Sequence, residues 1–376
     1  MSDLILTKNG IINKEKTYTR LKYLDNAKGL GMFMIMMGHM SYLNEPFFTF
    51  CSSIKILIFY IVSGFLFAYK EENNSNAGPL KEYVHKKVKV LGIPYVLYSL
   101  CAMAIDLLMT FVTHSDPLKA LGNDVANTVI LRGISTLWFL PTLFFADILF
   151  AAANKAVIKI RYPLLAVFPL INLILCSAYR NMVYQIKDNG FAGMLICNIT
   201  AVVLKSLTAF VFVVYGYVLY DLLKKLWDKS CAWLIALFTG MLTVILALLN
   251  KGVDFNSFSC GKYPWLYIIN GYLCGALIIF LLKKCDGAIN FRVLNFIGAN
   301  SLFIMATHLP WKISIVVKKL FGKVYIAENA GVSYYLVLIC STALVLFIEY
   351  FMIKAKDIVL IRCKKYEKLY DVLKYI

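Results

Sequence analysis

Acidic residues are the scarcest class relative to their counterparts: 21 Asp and Glu stand against 39 Lys and Arg, a net +18 over 376 residues. Charge of both signs is thin, at 16% against about 25% in soluble domains. Histidine occurs four times, and the ten cysteines are scattered through mostly apolar runs with no C-x-x-C pair. Such spacing supports neither a zinc site nor a disulfide framework, and each thiol reads as a small apolar group. A phosphate-binding Gly loop, a metal-ligand cluster and a nucleophile elbow are missing as well, so the chemistries those devices carry are not expected. No interior linker, low-complexity run or repeat divides the chain. It reads as one domain.

Apolar surface is what abounds. The sequence is 60% hydrophobic with a mean hydropathy of +0.71, above the about 45–50% apolar content of soluble domains. An all-α, polytopic membrane protein follows. Segments long enough to cross about 30 Å of hydrocarbon fall at 24–43, 50–69, 90–113, 134–154, 162–179, 193–220, 231–250, 264–282, 293–312 and 332–353. That predicts about ten transmembrane helices. The membrane domain then covers 1–353, including a polar N-terminal segment, and 354–376 forms a basic amphipathic tail with Ile358, Ile361, Tyr366, Leu369, Leu373 and Ile376 at helical spacing. A tail of that kind suits the inner leaflet as an anchor.

Basic residues set the orientation. With the N-terminus in the cytosol, 26 Lys and Arg lie on the inner side and 10 outside, with Lys28, Lys55 and Lys205 inside spans. The asymmetry predicts that both termini are cytosolic. The positive charge therefore needs lipid and an inside face, not nucleic acid. All five tryptophans (138, 227, 233, 265 and 311) fall near span ends, as an aromatic belt requires. No small-residue cleavage site follows the first apolar run, so that run is expected to be retained as a span. The outer loop 114–133 is expected to carry a short helix through Leu118, Leu121, Val125 and Val129.

Ionisable side chains in lipid are costly, which makes them candidates for function. The first span has Asp25 and Lys28 at its entrance and His39 well inside. Eleven steps of about 100° bring Lys28 and His39 to nearly one face, about 16.5 Å apart along the axis. A cation at one surface and a base within, on one stripe, suit a long anionic molecule lying along the helix. His308 in the ninth span lies about as far from the inner end as His39, the equal depth that a shared site requires. Ser301 shares its face. Asp106, Lys205 and Glu349 are expected to pair structurally or sit near an interface, Asp147 to face protein or water, and His85 and His114 to be solvated in loops. Gly271 and Gly275 permit close helix approach, though such spacing is common by chance.

Several of these stretches carry a family resemblance. Asp25-x-x-Lys28-Gly29-x-Gly31, followed by an apolar run ending in Gly38-His39, resembles the opening motif of the acyltransferase-3 family of integral-membrane acyltransferases. It is closest to the branch named for fucose 4-O-acetylase, with Lys28 where many members have arginine. Phe59-Tyr-Ile-Val-Ser63-Gly64-Phe65, Leu137-Trp138-Phe139-Leu140 and Gly298-Ala-Asn300-Ser301-Leu302 with His308 resemble further family segments. Lys55 departs from the pattern, since related sequences have a histidine there; near the outer end of its span it can line a polar site or snorkel to the interface.

The resemblance implies a membrane O-acyltransferase that moves an acetyl group from acetyl-CoA to a sugar hydroxyl of a cell-envelope or exported polysaccharide, or its lipid-linked precursor. The setting implied is the cytoplasmic membrane of a bacterium. His39 and His308 are then the catalytic candidates. Lys28 and Asp25 belong to donor binding, aided by Lys86, Lys87 and Lys89 of an inner loop. Asn300, Ser301, Trp138, Ser63 and Lys55 are candidates for oxyanion or substrate contact. Acetyl-CoA or another acyl-CoA is a co-substrate; no tightly bound cofactor or metal is expected, and the partners are the donor, the glycan acceptor and the bilayer. The competing reading is a transporter or flippase for a glycan or lipid-linked substrate, for which buried His, Lys and Asp would also serve. Paired broken helices in internal repeats would mark it, and the sequence shows none.

Overall fold

The computed structural model describes residues 6–7, 10–11, 20–41, 46–73, 79–227, 229–322 and 332–363. Apart from two short hairpins, these residues are overwhelmingly helical: α1 (Lys22–Met40), α2 (Pro46–Ile54), α3 (Leu57–Glu72), α4 (Leu80–Lys87), α5 (Ile93–Thr113), α6 (Pro117–Val129) and α7 (Phe139–Ile186). They continue as α8 (Gly190–Leu226), α9 (Ala232–Leu249), α10 (Pro264–Lys284), α11 (Arg292–Ala299), α12 (Ser301–Thr307), α13 (Ile313–Phe321) and α14 (Val332–Cys363). Among the described residues, seven helical runs are long and apolar enough to cross a membrane. The protein is an all-α, multi-pass membrane protein.

Two crossings fix the centre of the bundle, and glycine makes both possible. A Cβ on Gly29 would lie 2.0 Å from the Leu294 carbonyl oxygen, and one on Gly298 would lie 1.7 Å from that of Asp25. The backbones of α1 and α11 therefore touch, with no room for a methyl group. Gly64 and Gly216 do the same for α3 and α8, meeting the carbonyls of Val213 and Ile61 at 1.8 and 2.0 Å. Such backbone contact suits lipid, where helices associate by close packing and not by apolar burial. Gly271 and Gly275 also press on α3, against Leu57 and Ile61, so the spacing that is common by chance serves packing here.

The helices differ from the expected spans in ways that matter for the site. The first ends at Met40, so His39 lies in its last turn and not deep within it. The second is broken at Lys55 and Ile56, between α2 and α3. The ninth is broken at Asn300, whose side-chain amide donates to the Phe296 carbonyl (2.9 Å) and closes α11. Segments 134–154 and 162–179 form one helical run, α7, that doubles back. Ring contacts of 5.9, 6.3 and 5.6 Å link Trp138 to Tyr179 through Phe255 and Phe258, whereas a straight helix would hold them about 60 Å apart. Pro163, near the midpoint, removes an amide donor and favours a bend there. At the C-terminal end α14 runs unbroken past 353 to Cys363. Residues 364–376 of the expected tail lie outside the described residues, as does most of the N-terminal segment.

The loop helix expected within 114–133 is α6. Asp116 caps it, accepting from the amides of Leu118 (2.9 Å) and Lys119 (3.3 Å), with Pro117 in its first turn, a position where a missing N–H costs nothing.

Candidate active site

At the far end of α1 a cavity of about 180 Å³ opens between α1, the α2–α3 break and the hairpin of Val253–Asp254 with Ser259–Cys260. His39, Ser52, Lys55, Ser135, Trp138, Asp254 and Asn256 line it. Each arrives for a local reason. The last turn of α1 delivers His39. The break in the second span turns Lys55 toward the cavity, where its ammonium is 3.5 Å from the Ser52 hydroxyl. A 3₁₀ turn, Ser135–Trp138, opens α7 and is tied to α12 by the Thr136 hydroxyl, which donates to the Met305 carbonyl (2.7 Å). That bond fixes Trp138, 5% exposed, as a wall.

Behind His39 stands His308, fully buried, with ring centroids 5.5 Å apart and planes inclined at 44°. Its Nδ1 is 2.5 Å from the Ile304 carbonyl oxygen. A carbonyl only accepts, so Nδ1 carries the proton and Nε2 keeps its lone pair. Nε2 has no hydrogen-bond partner among the described residues. The neighbouring Thr307 hydroxyl lies 2.8 and 2.9 Å from the carboxyl oxygens of the fully buried Glu349.

A second layer supports the outer wall. Lys205, 0% exposed, donates to the Asn256 carbonyl (3.2 Å), and its ammonium lies 4.4 Å from the centre of the Trp138 ring. Arg132 donates to the same carbonyl (2.9 Å), to the Asn256 side-chain oxygen (2.6 Å) and to Asn198 (3.3 Å). Burial acts against the Arg132 charge and pulls its pKa below the usual range, yet a guanidinium stays protonated in proteins. Asp254 caps its own turn, accepting from the Asn256 amide (3.1 Å) and the Ser257 hydroxyl (2.6 Å).

The other candidates lie elsewhere. Asp25 and Lys28 form an ion pair of 2.8 Å at the first end of α1, and Arg20 pairs with the same carboxylate. Ser63 donates to Asp147 (2.7 Å), whose other oxygen takes Lys87 at 2.5 Å. The buried Asp147 carboxylate thus occupies Ser63 and the partly exposed Lys87, two residues considered for substrate or donor contact. Asn300 caps α11, and neither it nor Ser301 lines the cavity. Asp106 pairs with Lys312 at 2.5 Å. His85 and His114 are exposed, but His85 lies on α4 and not in a loop.

Sequence reasoning did not find Arg132, in the loop after α6, or Asp254 and Asn256, in a hairpin too short to show periodicity. Lys205 did carry a signal, as a lone cation in an apolar stretch. It was expected to pair structurally or sit near an interface; the structure supplies an amide carbonyl and an indole face.

No curated protein and no solved structure matches the chain significantly. A family model described as an acyltransferase domain matches residues 21–350, which takes in α1, the cavity and the first part of α14. The chain belongs to the acyltransferase-3 family of membrane acyltransferases.

Proposed function

We propose that the protein is an O-acyltransferase that moves an acetyl group from acetyl-CoA to a sugar hydroxyl of an envelope or exported polysaccharide, or of its lipid-linked precursor. The observation that carries this reading is His39 at one wall of a polar cavity with His308 packed behind it, on a helix, α1, that has Lys28 at its other end. In this reading both termini are cytosolic and the chain crosses the bilayer ten times: the seven apolar runs, the return leg of α7, the charged α1 and the broken pair α11–α12.

The donor's phosphates settle at the first end, where Arg20, Asp25 and Lys28 leave one net positive charge. Its pantetheine arm reaches along α1 toward the cavity. His39, half-buried and in the lining, takes the proton from the sugar hydroxyl as its oxygen attacks the thioester carbonyl. Collapse of the tetrahedral species releases the CoA thiolate, which receives that proton, and leaves the sugar ester. Lys55 and the Trp138 indole N–H are the cavity donors facing the oxyanion. His308 does not line the cavity and acts through His39, holding its ring. General-base catalysis of this kind contributes about 10²–10⁴-fold.

The test is transfer of radiolabelled acetyl from acetyl-CoA to the glycan fraction, in membranes carrying wild type or His39→Ala at matched expression. Label that falls by about 10²-fold or more in the variant supports the reading. Equal label in both removes His39 from the chemistry.

A further inference from the structure

Two cations converge on one neutral group beside the cavity. Lys205 and Arg132 both donate to the Asn256 carbonyl, and Lys55 lines the same space from the opposite helix pair. None of the three has a carboxylate within ion-pair distance among the described residues, unlike Asp25, Asp147, Glu72 and Asp106, each of which holds a cation. Asp254, the carboxylate in the lining, is engaged by its own turn. Lys205 has no exposure at all. An ammonium taken out of water without a counter-charge costs several kcal/mol, and a carbonyl with a ring face recovers part of that. Three basic groups around one engaged carboxylate make a site short of negative charge, and an anion bound there favours the charged form of both lysines.

We propose that the acceptor sugar bears an anionic group, a carboxylate or a phosphate, that binds at the Asn256 side of the cavity in the field of Lys205, Arg132 and Lys55. This rests on the acyltransferase reading for the word acceptor, but the anion site stands on its own geometry. The cavity has a base at one wall and the cation-backed Asn256 at another, so charge recognition orients the sugar and sets which hydroxyl meets His39. Neutral sugars lack that anchor and are discriminated against through KM.

The experiment uses full-length protein in detergent and measures thermal stabilisation by glucuronate, glucose 6-phosphate and glucose, for wild type, Lys205→Met and Arg132→Gln. Neither substituted residue touches the reacting atoms. An anionic sugar stabilises wild type at concentrations about tenfold below those glucose requires, the preference weakens in 0.5 M salt (Debye length about 4 Å), and at least one variant loses it while glucose binding is unchanged. Glucuronate acting alone assigns a carboxylate; glucose 6-phosphate acting alone assigns a phosphate. The proposal is overturned if glucose stabilises as well as either anion, or if the anion preference survives in both variants. Variants that lose glucose and anion binding together mark the cluster as scaffolding for the loop, which also overturns it. Acetyl transfer, assayed in parallel, separates the two claims: an anion preference without transfer keeps the site and removes the acyltransferase reading.

Discussion

Asp147 sits at 1% exposure with Lys87 and Ser63 as its partners. Removing one member of a buried pair strands the other, at a cost of about 3–5 kcal/mol. Asp147→Ala is therefore expected to lower the melting temperature sharply in detergent, while Glu72→Ala, which breaks the half-exposed pair with Lys224, changes it little. Equal effects would contradict the burial argument. Asp124 on α6 gives a second residue-scale expectation. Burial and the neighbouring Asp106 push its pKa up to about 6, with Lys312 opposing. A carboxyl raised above its unfolded value costs stability when charged, so the cost is absent below about pH 4 and complete above about 6. Asp124→Asn should raise the melting temperature at pH 7.5 and leave it unchanged at pH 4. A gain of equal size at both would point away from the charge. Residue identity alone sorts these groups poorly. Ser63 and Asn300 fall within stretches that resemble family motifs, yet one serves Asp147 and the other a helix end. A resemblance marks a position as constrained without saying whether packing or chemistry constrains it.

At the scale of elements, the glycine seam explains more of the opening motif than the charges do. Gly29 and Gly298 bring α1 against α11, and that contact sets the register placing His39 beside His308. Alanine at either position forces the backbones apart. Gly29→Ala and Gly298→Ala should each destabilise the protein and separate the imidazoles, with loss of transfer activity beyond what the change in stability accounts for. Gly122→Ala on α6, where a Cβ meets nothing within 4 Å, is the control; it should be neutral or stabilising by about 0.5–1 kcal/mol, the usual helix preference of alanine over glycine. Helix existence was legible from hydropathy, because lipid demands long apolar runs. The breaks at Lys55 and Asn300 were not, since no proline marks them; tertiary contacts on both sides stabilise the interruption. The fold-back in α7 was legible only as two apolar segments separated by Lys155, Lys159 and Arg161.

For the whole molecule, the return of α7 decides the topology. If the leg from Arg161 to Ile186 crosses the bilayer, cysteines placed at Lys159 and Lys187 in a cysteine-free background label from opposite faces with a membrane-impermeant maleimide. Labelling of both from one face would remove a crossing and reverse every element downstream. The charge asymmetry of the loops predicts this orientation, which the labelling tests, but the side-chain traffic across the cavity was beyond it: Arg132, Lys205 and Asn256 come from three separate connections or helices, and only folding brings them together.

Between Lys28 and His39 the stripe of α1 is filled. Met32 and Ile35, the residues that lie between them on that face, are 0% and 2% exposed. At rest this face of α1 therefore holds no water-filled path between its two ends. On the proposed reading, a slender thioester arm has to part the flexible Met32 side chain to pass, and the gap it opens is filled by the arm itself. On that reading the seal along this stripe holds whether or not the donor is in place, so a voltage across the bilayer finds no conducting path along this face of α1.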